Sequence, residues 1–266
     1  MISRLYNYLY RNWPIKTKVR MYHGQKVYLP RAGYSDLALQ KDGVYELDNS
    51  QLFRRLARPN SWVIDVGTNL GLMSIPVLAD CPNVRVLSFE PSENALRFLR
   101  RTMQDCAFGN RWELIPKCVG AESGTVTFTL SDGIHIEFDG MQHTGRVNAS
   151  KSIQVPMTTI DEEWRRLGSP PISIIKCDVE GAELGVLMGA AHCIASARPY
   201  VLMEWNEINF RSYGVTTSDL LELVEKLEYD IHSMPHMIPV RGQSEMEMQM
   251  LVTENFLLVP RLKIRP

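Results

Sequence analysis

The sequence predicts an α/β domain built on a doubly wound, mostly parallel sheet. Apolar runs typical of buried strands alternate with helix-like stretches, a glycine turn follows the first run, and several runs end on an acidic residue. Ligands of such sheets bind beyond the carboxyl ends of the strands. The acids at those ends therefore mark a candidate site.

The elements follow in order from local signals. Asn49 or Ser50 is expected to cap a first helix that ends at Leu56. Strands are predicted at 62–66, 84–90, 112–119, 125–130, 153–157, 172–177, 200–204, 229–234 and 255–260. Further helices are predicted over about 70–80, after Ser92, and over 161–167, 182–195 and 217–228. Met246, Met248 and Met250 alternate with polar residues, which indicates a half-buried strand or lid edge.

The most informative segment joins the first two predicted strands. An apolar run reaches Asp65, turns through Gly67 and Gly71, and enters a helix-like stretch. The next run stops at Glu90, 25 positions beyond Asp65. Buried strand, glycine turn, helix, buried strand and terminal acid form half of a nucleotide-binding unit, with the acid placed to hold ribose hydroxyls.

The details of the turn favour a nucleoside cofactor without phosphate. A dinucleotide site needs three spaced glycines, but Gly67, Asn69 and Leu72 occupy those places. Asp65 suits a cationic amino-acid end and repels phosphate, so the sequence predicts S-adenosylmethionine. Asn69 either binds its methionine moiety or stabilises the loop. Asp65 has the alternative role of capping the turn.

Three strings resemble one known family. DVGTNLG, FEP and IIKCDVEGAEL are similar to the FkbM-type methyltransferases, a branch of the class I S-adenosylmethionine-dependent enzymes. The resemblance runs from about Val44 to Pro260 and includes VYE, which ends on Glu46, and ENFLLVP. It implies a Rossmann-like fold with an antiparallel last strand, and a role for Glu46 in holding the cofactor. Thr68 departs from the alanine that is more usual there.

The DVEG string supplies the candidate catalytic residues. The resemblance implies that Asp178 lies under the reactive methyl group, and Asp178 and Glu180 are both expected to face the cleft. Either carboxylate could stabilise the sulfonium or accept a proton. Asp178 ranks first as the base, the loop residue His143 second and Glu180 third. Glu180 could instead cap the next helix, and Glu204 could face substrate or pair with an arginine.

The sequence as a whole predicts an S-adenosylmethionine-dependent O-methyltransferase. The resemblance implies that the acceptor is a sugar hydroxyl in a polysaccharide, glycolipid or glycosylated natural product. The alternatives are a non-catalytic cofactor-binding scaffold and a methyltransferase acting on another small molecule. No metal is expected, because the acid-plus-asparagine set of Mg²⁺-dependent methyltransferases is missing from the DVEG region.

Composition agrees with one enzyme domain in a reducing compartment. The 266 residues are 45% apolar, and the formal net charge of −1 argues against a nucleic-acid partner. Five cysteines form no C-x-x-C pair, which indicates a cytoplasmic location. No signal-peptide core opens the chain and no apolar run approaches the roughly 20 residues of a membrane span, so we expect neither.

The N-terminal part differs from the rest in charge. Residues 1–45 are predicted to form a basic cap or extension, and 46–266 the catalytic domain. The basic residues are Arg4, Arg11, Lys16, Lys18, Arg20, Lys26 and Arg31. Residues 1–31 are interpreted as a capping helix and hairpin. They could instead contact anionic lipid or a lipid-linked substrate, peripherally to the membrane, or another subunit. The sequence leaves the oligomeric state open.

Overall fold

A computed structural model describes residues 16–131, 136, 139–142 and 151–261, and a large sheet forms its centre. The strands are β1 (Thr17–Tyr22), β2 (Gln25–Pro30), β3 (Trp62–Val66), β4 (Arg85–Phe89), β5 (Trp112–Ile115), β6 (Cys118–Val119), β7 (Gly124–Leu130), β8 (Lys151–Thr158), β9 (Ile172–Cys177), β10 (Tyr200–Glu204), β11 (Tyr229–Ser233), β12 (Ile238–Val240) and β13 (Asn255–Pro260).

Helices lie between most of these strands. They are α1 (Tyr34–Asp42), α2 (Leu47–Leu56), α3 (Ser74–Asp80), α4 (Glu93–Asp105), α5 (Ile160–Arg166), α6 (Glu183–Met188), α7 (Ala191–Ala197), α8 (Glu207–Arg211), α9 (Thr217–Lys226) and α10 (Gln243–Met250). A 3-10 turn covers Gly109–Arg111.

The central sheet has the order β12-β11-β13-β10-β9-β3-β4-β5. Strands β10, β9, β3, β4 and β5 run parallel, whereas β13 is antiparallel to both β10 and β11. The predicted doubly wound, mostly parallel sheet with an antiparallel last strand is therefore confirmed. A smaller sheet, β6-β8-β7, lies beside it, and β1 and β2 form a hairpin.

The central strands are mostly apolar because both faces of the sheet are covered. In β3, Val63 belongs to one buried cluster, and Ile64 and Val66 belong to the other. Successive side chains of a strand point to opposite faces, so a strand covered on both sides has no polar face. This arrangement explains why these strands could be predicted from continuous apolar runs.

The strand order reverses at the middle of the sheet. Chain connections lead from β3 outward through β4 to β5, and later from β9 outward through β10. The crevice between the carboxyl ends of β3 and β9 is therefore the topological switch point, where sheets of this kind bind ligands. Asp65, Glu90, Asp178 and Glu204 all lie at or just after the carboxyl ends of central strands, as predicted.

The prediction that Asn49 or Ser50 caps the first predicted helix was wrong. Helix α2 begins at Leu47 after Glu46, so Asn49 and Ser50 lie inside it and are buried. The Asn49 amide donates to Asn255 Oδ1 at 2.9 Å, a residue 206 positions away. A tertiary partner has replaced the local capping role that its residue type suggests.

Three predicted elements are shorter or divided. The helix predicted over about 70–80 is α3, which begins at Ser74 and has Pro76 in its first turn, where a missing N–H costs nothing. The helix predicted over 182–195 is two helices that meet around Gly189, where an added Cβ would lie 2.0 Å from Gly120 O. The strand predicted over 112–119 is divided between two sheets.

The methionine-rich segment is a helix and not a strand or lid edge. In α10, Met246 is fully buried whereas Met248 is exposed. Alternation over so few residues does not distinguish the period of a strand from that of a helix, and this segment is helical. That prediction was wrong.

The hairpin of the N-terminal cap packs on the main domain. The Tyr28 N–H donates to Thr102 Oγ1 at 3.0 Å, and the Tyr28 hydroxyl to Asp105 Oδ2 at 2.5 Å. The predicted hairpin is confirmed, but the helix with Arg4 and Arg11 lies outside the described residues. The boundary between residues 45 and 46 stays a prediction. Across the described part of the chain, no helix is both long and apolar enough to cross a bilayer.

Candidate active site

A cleft of about 360 Å³ opens at the switch point. Its lining includes six residues predicted from the sequence: Glu46, Gly67, Asn69, Glu90, Asp178 and Glu180. The residues of its rim follow the order of the strands across the sheet. Glu90 follows β4, Gly67 follows β3, Asp178 follows β9, and Glu204 ends β10. Volumes of this size are typical of small-molecule sites.

Glu90 is held by the backbone of two loops. Its Oε2 accepts from Asn69 N–H and its Oε1 from Ser92 N–H, both at 2.8 Å. Burial raises the pKa of Glu90 to about 7, against the lowering effect of those two hydrogen bonds. Each oxygen keeps a second lone pair, so the carboxylate can still accept hydrogen bonds from two ribose hydroxyls.

The turn after β3 fits a ligand that approaches the backbone closely. Gly67 has φ 73°, and a Cβ there would lie 1.8 Å from Asp178 O, so no other residue fits. Asn69 also has a positive φ of 50°, and its Oδ1 is buried without a hydrogen-bond partner. A buried acceptor without a partner at a cleft is what an amine-bearing ligand would satisfy.

Asp65 and Gly71 lie behind this turn and do not line the cleft. Asp65 Oδ2 accepts from Thr68 Oγ1 at 2.7 Å and Ser74 Oγ at 2.5 Å, which fixes the turn. Its Oδ1 is buried without a hydrogen bond. A Cβ at Gly71 would lie 2.7 Å from the Trp112 ring. Asp65 thus caps the turn, which is the alternative role considered for it. Its direct contact with the cofactor stays a prediction.

Lys176 is a site residue that the sequence analysis missed. Its ammonium lies 2.9 Å from Asp178 Oδ2, 3.9 Å from Asp65 Oδ1 and 3.5 Å from Gly67 O. Burial alone would lower its pKa, but the charges of Asp178, Asp65 and Glu46 outweigh burial and raise it. A lone lysine in an apolar strand, two positions before the terminal acid, was the available signal.

Three carboxyl groups converge at the β9 and β10 end of the cleft. Asp178, Glu180 and Glu204 each offer an oxygen within 4.8 Å of the others. Glu180 has φ 58° and accepts from Asn209 Nδ2 at 2.9 Å. It does not cap the following helix, whose N-cap residue is Ala182 and which has no side-chain cap. Glu183 Oε1 instead accepts from Val179 and Gly181 N–H in the loop before that helix.

Glu204 has a strongly perturbed pKa. Burial, followed by the charge of Asp178 and a hydrogen bond with its carboxyl group, raises the pKa of Glu204 well above its usual range. Glu180 and Glu183 add to this effect. Of the two alternatives considered for Glu204, it lines the cleft, and its neighbours are other acids.

Asp139 was also missed, because it belongs to the segment between Ser131 and Ser152 that gave no usable pattern. It lines the cleft, and its Oδ1 accepts from Ser131 N–H at 2.6 Å. Its Oδ2 accepts from Ser92 Oγ, the N-cap hydroxyl of α4. Burial raises the pKa of Asp139. This residue fastens the insertion to the helix that follows Glu90.

Three further predictions have different outcomes. Glu46 lines the cleft as the N-cap residue of α2, with φ 43°. His143 lies outside the described residues, so its rank as a base stays a prediction. The absence of a metal also stays a prediction, since closely spaced carboxylates can share either a proton or a cation.

The residues fit a nucleoside with a cationic amino-acid end. Glu90 can accept from ribose hydroxyls, and Phe89, Val119 and Ile136 supply apolar cleft walls for a base. Asn69 Oδ1 and the carboxylates beyond it can accept from an ammonium and face a sulfonium. S-adenosylmethionine carries these groups, and when bound it supplies an activated methyl group.

Comparison with known proteins gives one family match. The Methyltransferase FkbM domain matches residues 65–231. These residues contain the turn after β3, Glu90 and the DVEG string, whereas VYE and ENFLLVP lie outside them. A search of curated proteins gave no significant match.

Several solved structures are similar in outline. An FkbM methyltransferase from Methylobacillus flagellatus KT is 18% identical, covers 79% of this chain with a TM-score of 0.46, and is matched over 50% of its own length. Precorrin-6y C5,15-methyltransferase from Geobacter metallireducens GS-15 is 11% identical, with coverages of 83% and 92% and a TM-score of 0.44. A TehB-like methyltransferase from Corynebacterium glutamicum is 10% identical, with coverages of 86% and 94% and a TM-score of 0.44.

This chain thus spans half the length of the Methylobacillus flagellatus protein. None of these scores reaches 0.5, so the assignment rests on the family match, which spans more than half of the chain. The chain belongs to the family of FkbM methyltransferases, and its cofactor is S-adenosylmethionine.

Proposed function

We propose that this chain transfers the methyl group of S-adenosylmethionine to a sugar hydroxyl in a polysaccharide, glycolipid or glycosylated natural product. The observation that carries the proposal is the convergence of Asp178, Glu180 and Glu204 at the end of the cleft away from Glu90. Carboxylates accept hydrogen bonds from hydroxyl groups, and a sugar presents several hydroxyls on one face.

The charge of this end of the cleft supports a neutral acceptor. Glu254 joins the three converging acids in the lining, whereas Lys176 is already paired with Asp178. A phosphate or carboxylate at the reacting position would meet repulsion from these acids. An uncharged, hydroxyl-rich group would not.

The chain's own residues have three tasks in this reaction. Glu90 and the Gly67 turn hold the cofactor, and the acids beyond them orient the acceptor. Positioning two reactants in this way supplies a large part of the rate of a bimolecular step. One carboxylate must also take the hydroxyl proton.

The test is methyl transfer from labelled S-adenosylmethionine to a panel of glycans, glycolipids and non-sugar alcohols. We expect label on sugar oxygen, located by mass spectrometry, and less label with Glu90→Ala at a limiting cofactor concentration. Comparison of glycans from cells with and without the protein identifies the natural acceptor. Label on other small molecules alone would overturn the sugar assignment, and cofactor binding without any transfer would indicate a scaffold.

A further inference from the structure

The carboxyl groups of Glu204 and Asp178 face each other at the ends of neighbouring strands. Together with Glu180, each offers an oxygen within 4.8 Å of the others. Two ionised carboxylates so close together repel each other, so one of them favours its protonated form. The pair therefore holds one proton in the cofactor-free protein.

The surroundings decide which group of the pair carries it. Lys176 Nζ lies 2.9 Å from Asp178 Oδ2 and stabilises the ionised form of that residue. The cations that line the cleft, Lys176 and Lys117, are paired with Asp178 and Glu163. The acids that act on Glu204 are Asp178, Glu180 and Glu183, and Glu254 also lines the cleft. An ionised Glu204 would meet repulsion from each of them, so the proton belongs on Glu204.

A bound cofactor changes this balance. S-adenosylmethionine brings a sulfonium charge into the same cleft, whereas S-adenosylhomocysteine has a neutral sulfur. A positive charge near a carboxyl group favours its ionised form. The substrate form of the cofactor, and not the product form, should therefore displace the proton.

We propose that Glu204 is the catalytic proton acceptor, protonated in the free enzyme and ionised by the arrival of the sulfonium. The acceptor oxygen then bonds to the methyl carbon as the carbon–sulfur bond breaks, the sulfur keeps that electron pair, and the hydroxyl proton passes to a Glu204 oxygen. Loss of the sulfonium charge leaves Glu204 protonated again, so the enzyme returns to its starting state. This step rests on the proposed hydroxyl methylation.

The test needs no acceptor, so its failure is distinct from failure of the sugar assignment. Calorimetric binding in phosphate and in Tris, whose ionisation enthalpies differ, gives the number of protons released. At pH 7 we expect S-adenosylmethionine to release up to about one proton more than S-adenosylhomocysteine. The Glu204→Gln variant should abolish that difference. The matched control is Glu207→Gln, at an exposed residue three positions on, which should keep it.

Two results would overturn the proposal. One is an equal proton release with both cofactor forms in the unaltered protein, and the other is an unchanged difference in Glu204→Gln. Infrared difference spectra of the unaltered protein give a second measurement that needs no variant to fold. The band of a protonated carboxyl group should disappear with S-adenosylmethionine and persist with S-adenosylhomocysteine; its persistence with both would also reject the assignment.

Discussion

The Lys176 ammonium lies 2.9 Å from Asp178 Oδ2, and both residues belong to the end of one central strand. Because side chains two positions apart in a strand point to the same face, those of Lys176 and Asp178 lie on the same side of the sheet. The lysine also approaches Asp65 at the end of the neighbouring strand β3. One buried cation therefore joins the two strand ends that border the switch point.

This relationship predicts a large loss of stability when the lysine is removed. Lys176→Met leaves the Asp65 and Asp178 carboxylates without their cation, and breaking a buried pair costs about 3–5 kcal/mol. We expect the urea midpoint to fall accordingly. Lys226→Met, at an exposed lysine 3.9 Å from Glu222, should change stability by about 0.5 kcal/mol or less. Equal midpoints for the two variants would contradict this prediction.

Cofactor binding should stabilise the protein selectively. S-adenosylhomocysteine at a hundredfold excess over its dissociation constant should add about 2.7 kcal/mol of stability, measured as a higher melting temperature. NAD and NADP should have no effect, since the glycines of a dinucleotide site are absent. Glu90→Ala should keep the fold and weaken binding, because it removes the proposed ribose acceptor. Tight NAD binding with no response to S-adenosylhomocysteine would refute the prediction.

Stability of the cofactor-free protein should depend on the ionisation of Glu90. Its pKa is raised to about 7 in the folded chain from an ordinary value of 4.5, so folding takes up a proton between these pH values. That contribution is fully present below about pH 4.5 and is lost as pH rises through 7.

Glu90→Gln replaces the ionisable group by a neutral one of similar shape. Its melting temperature relative to the unaltered protein should therefore become more favourable from pH 5 to pH 8. Glu207→Gln serves as the exposed control. A relative melting temperature that stays constant with pH would show that Glu90 ionises normally.

Methyl transfer should not require a divalent metal. Lys176 already balances part of the charge around Asp178, and the proton proposed for Glu204 would reduce the repulsion among the three converging acids. Treatment with EDTA followed by gel filtration should leave the rate unchanged. Loss of activity that Mg²⁺ restores would contradict both this expectation and the role proposed for Glu204.

The basic hairpin offers a separate test of acceptor recruitment. Val19 and Met21 are exposed on one face of β1. Lys18 lies on the other face with Arg20, which is paired with Asp36. We propose that the basic hairpin contacts anionic lipid or a lipid-linked acceptor. Replacing Lys16 and Lys18 by glutamine should raise the acceptor KM at low salt, and the effect should shrink as salt rises. Unchanged kinetics at low salt would leave the hairpin a purely structural element.

Much of the fold could be predicted from local pattern. The strands at β3, β4, β9 and β10 are continuous apolar runs, and each is followed by or ends on an acid, so both the sheet and its rim were predictable. The family strings then marked the turn after β3 and the DVEG segment. These signals all lie within short stretches of sequence.

The parts that could not be predicted depend on distant contacts. Lys176 acquires its role from Asp65, 111 positions earlier, and Asp139 from Ser92, 47 positions earlier. Asn49 donates to Asn255 instead of capping a helix, and the methionine pattern of α10 did not distinguish a strand from a helix. The partners of Asp139 and Asn49, and one partner of Lys176, belong to other elements, which periodicity and capping rules do not describe.

The contact at Gly67 has a mechanical consequence. Because a Cβ there would lie 1.8 Å from Asp178 O, the turn after β3 and the DVEG segment meet backbone against backbone. No side chain lies between them at this point to absorb a displacement. A shift of the turn as cofactor enters or leaves is therefore transmitted to the segment that carries Asp178, which couples cofactor occupancy to the reacting end of the cleft without any domain movement.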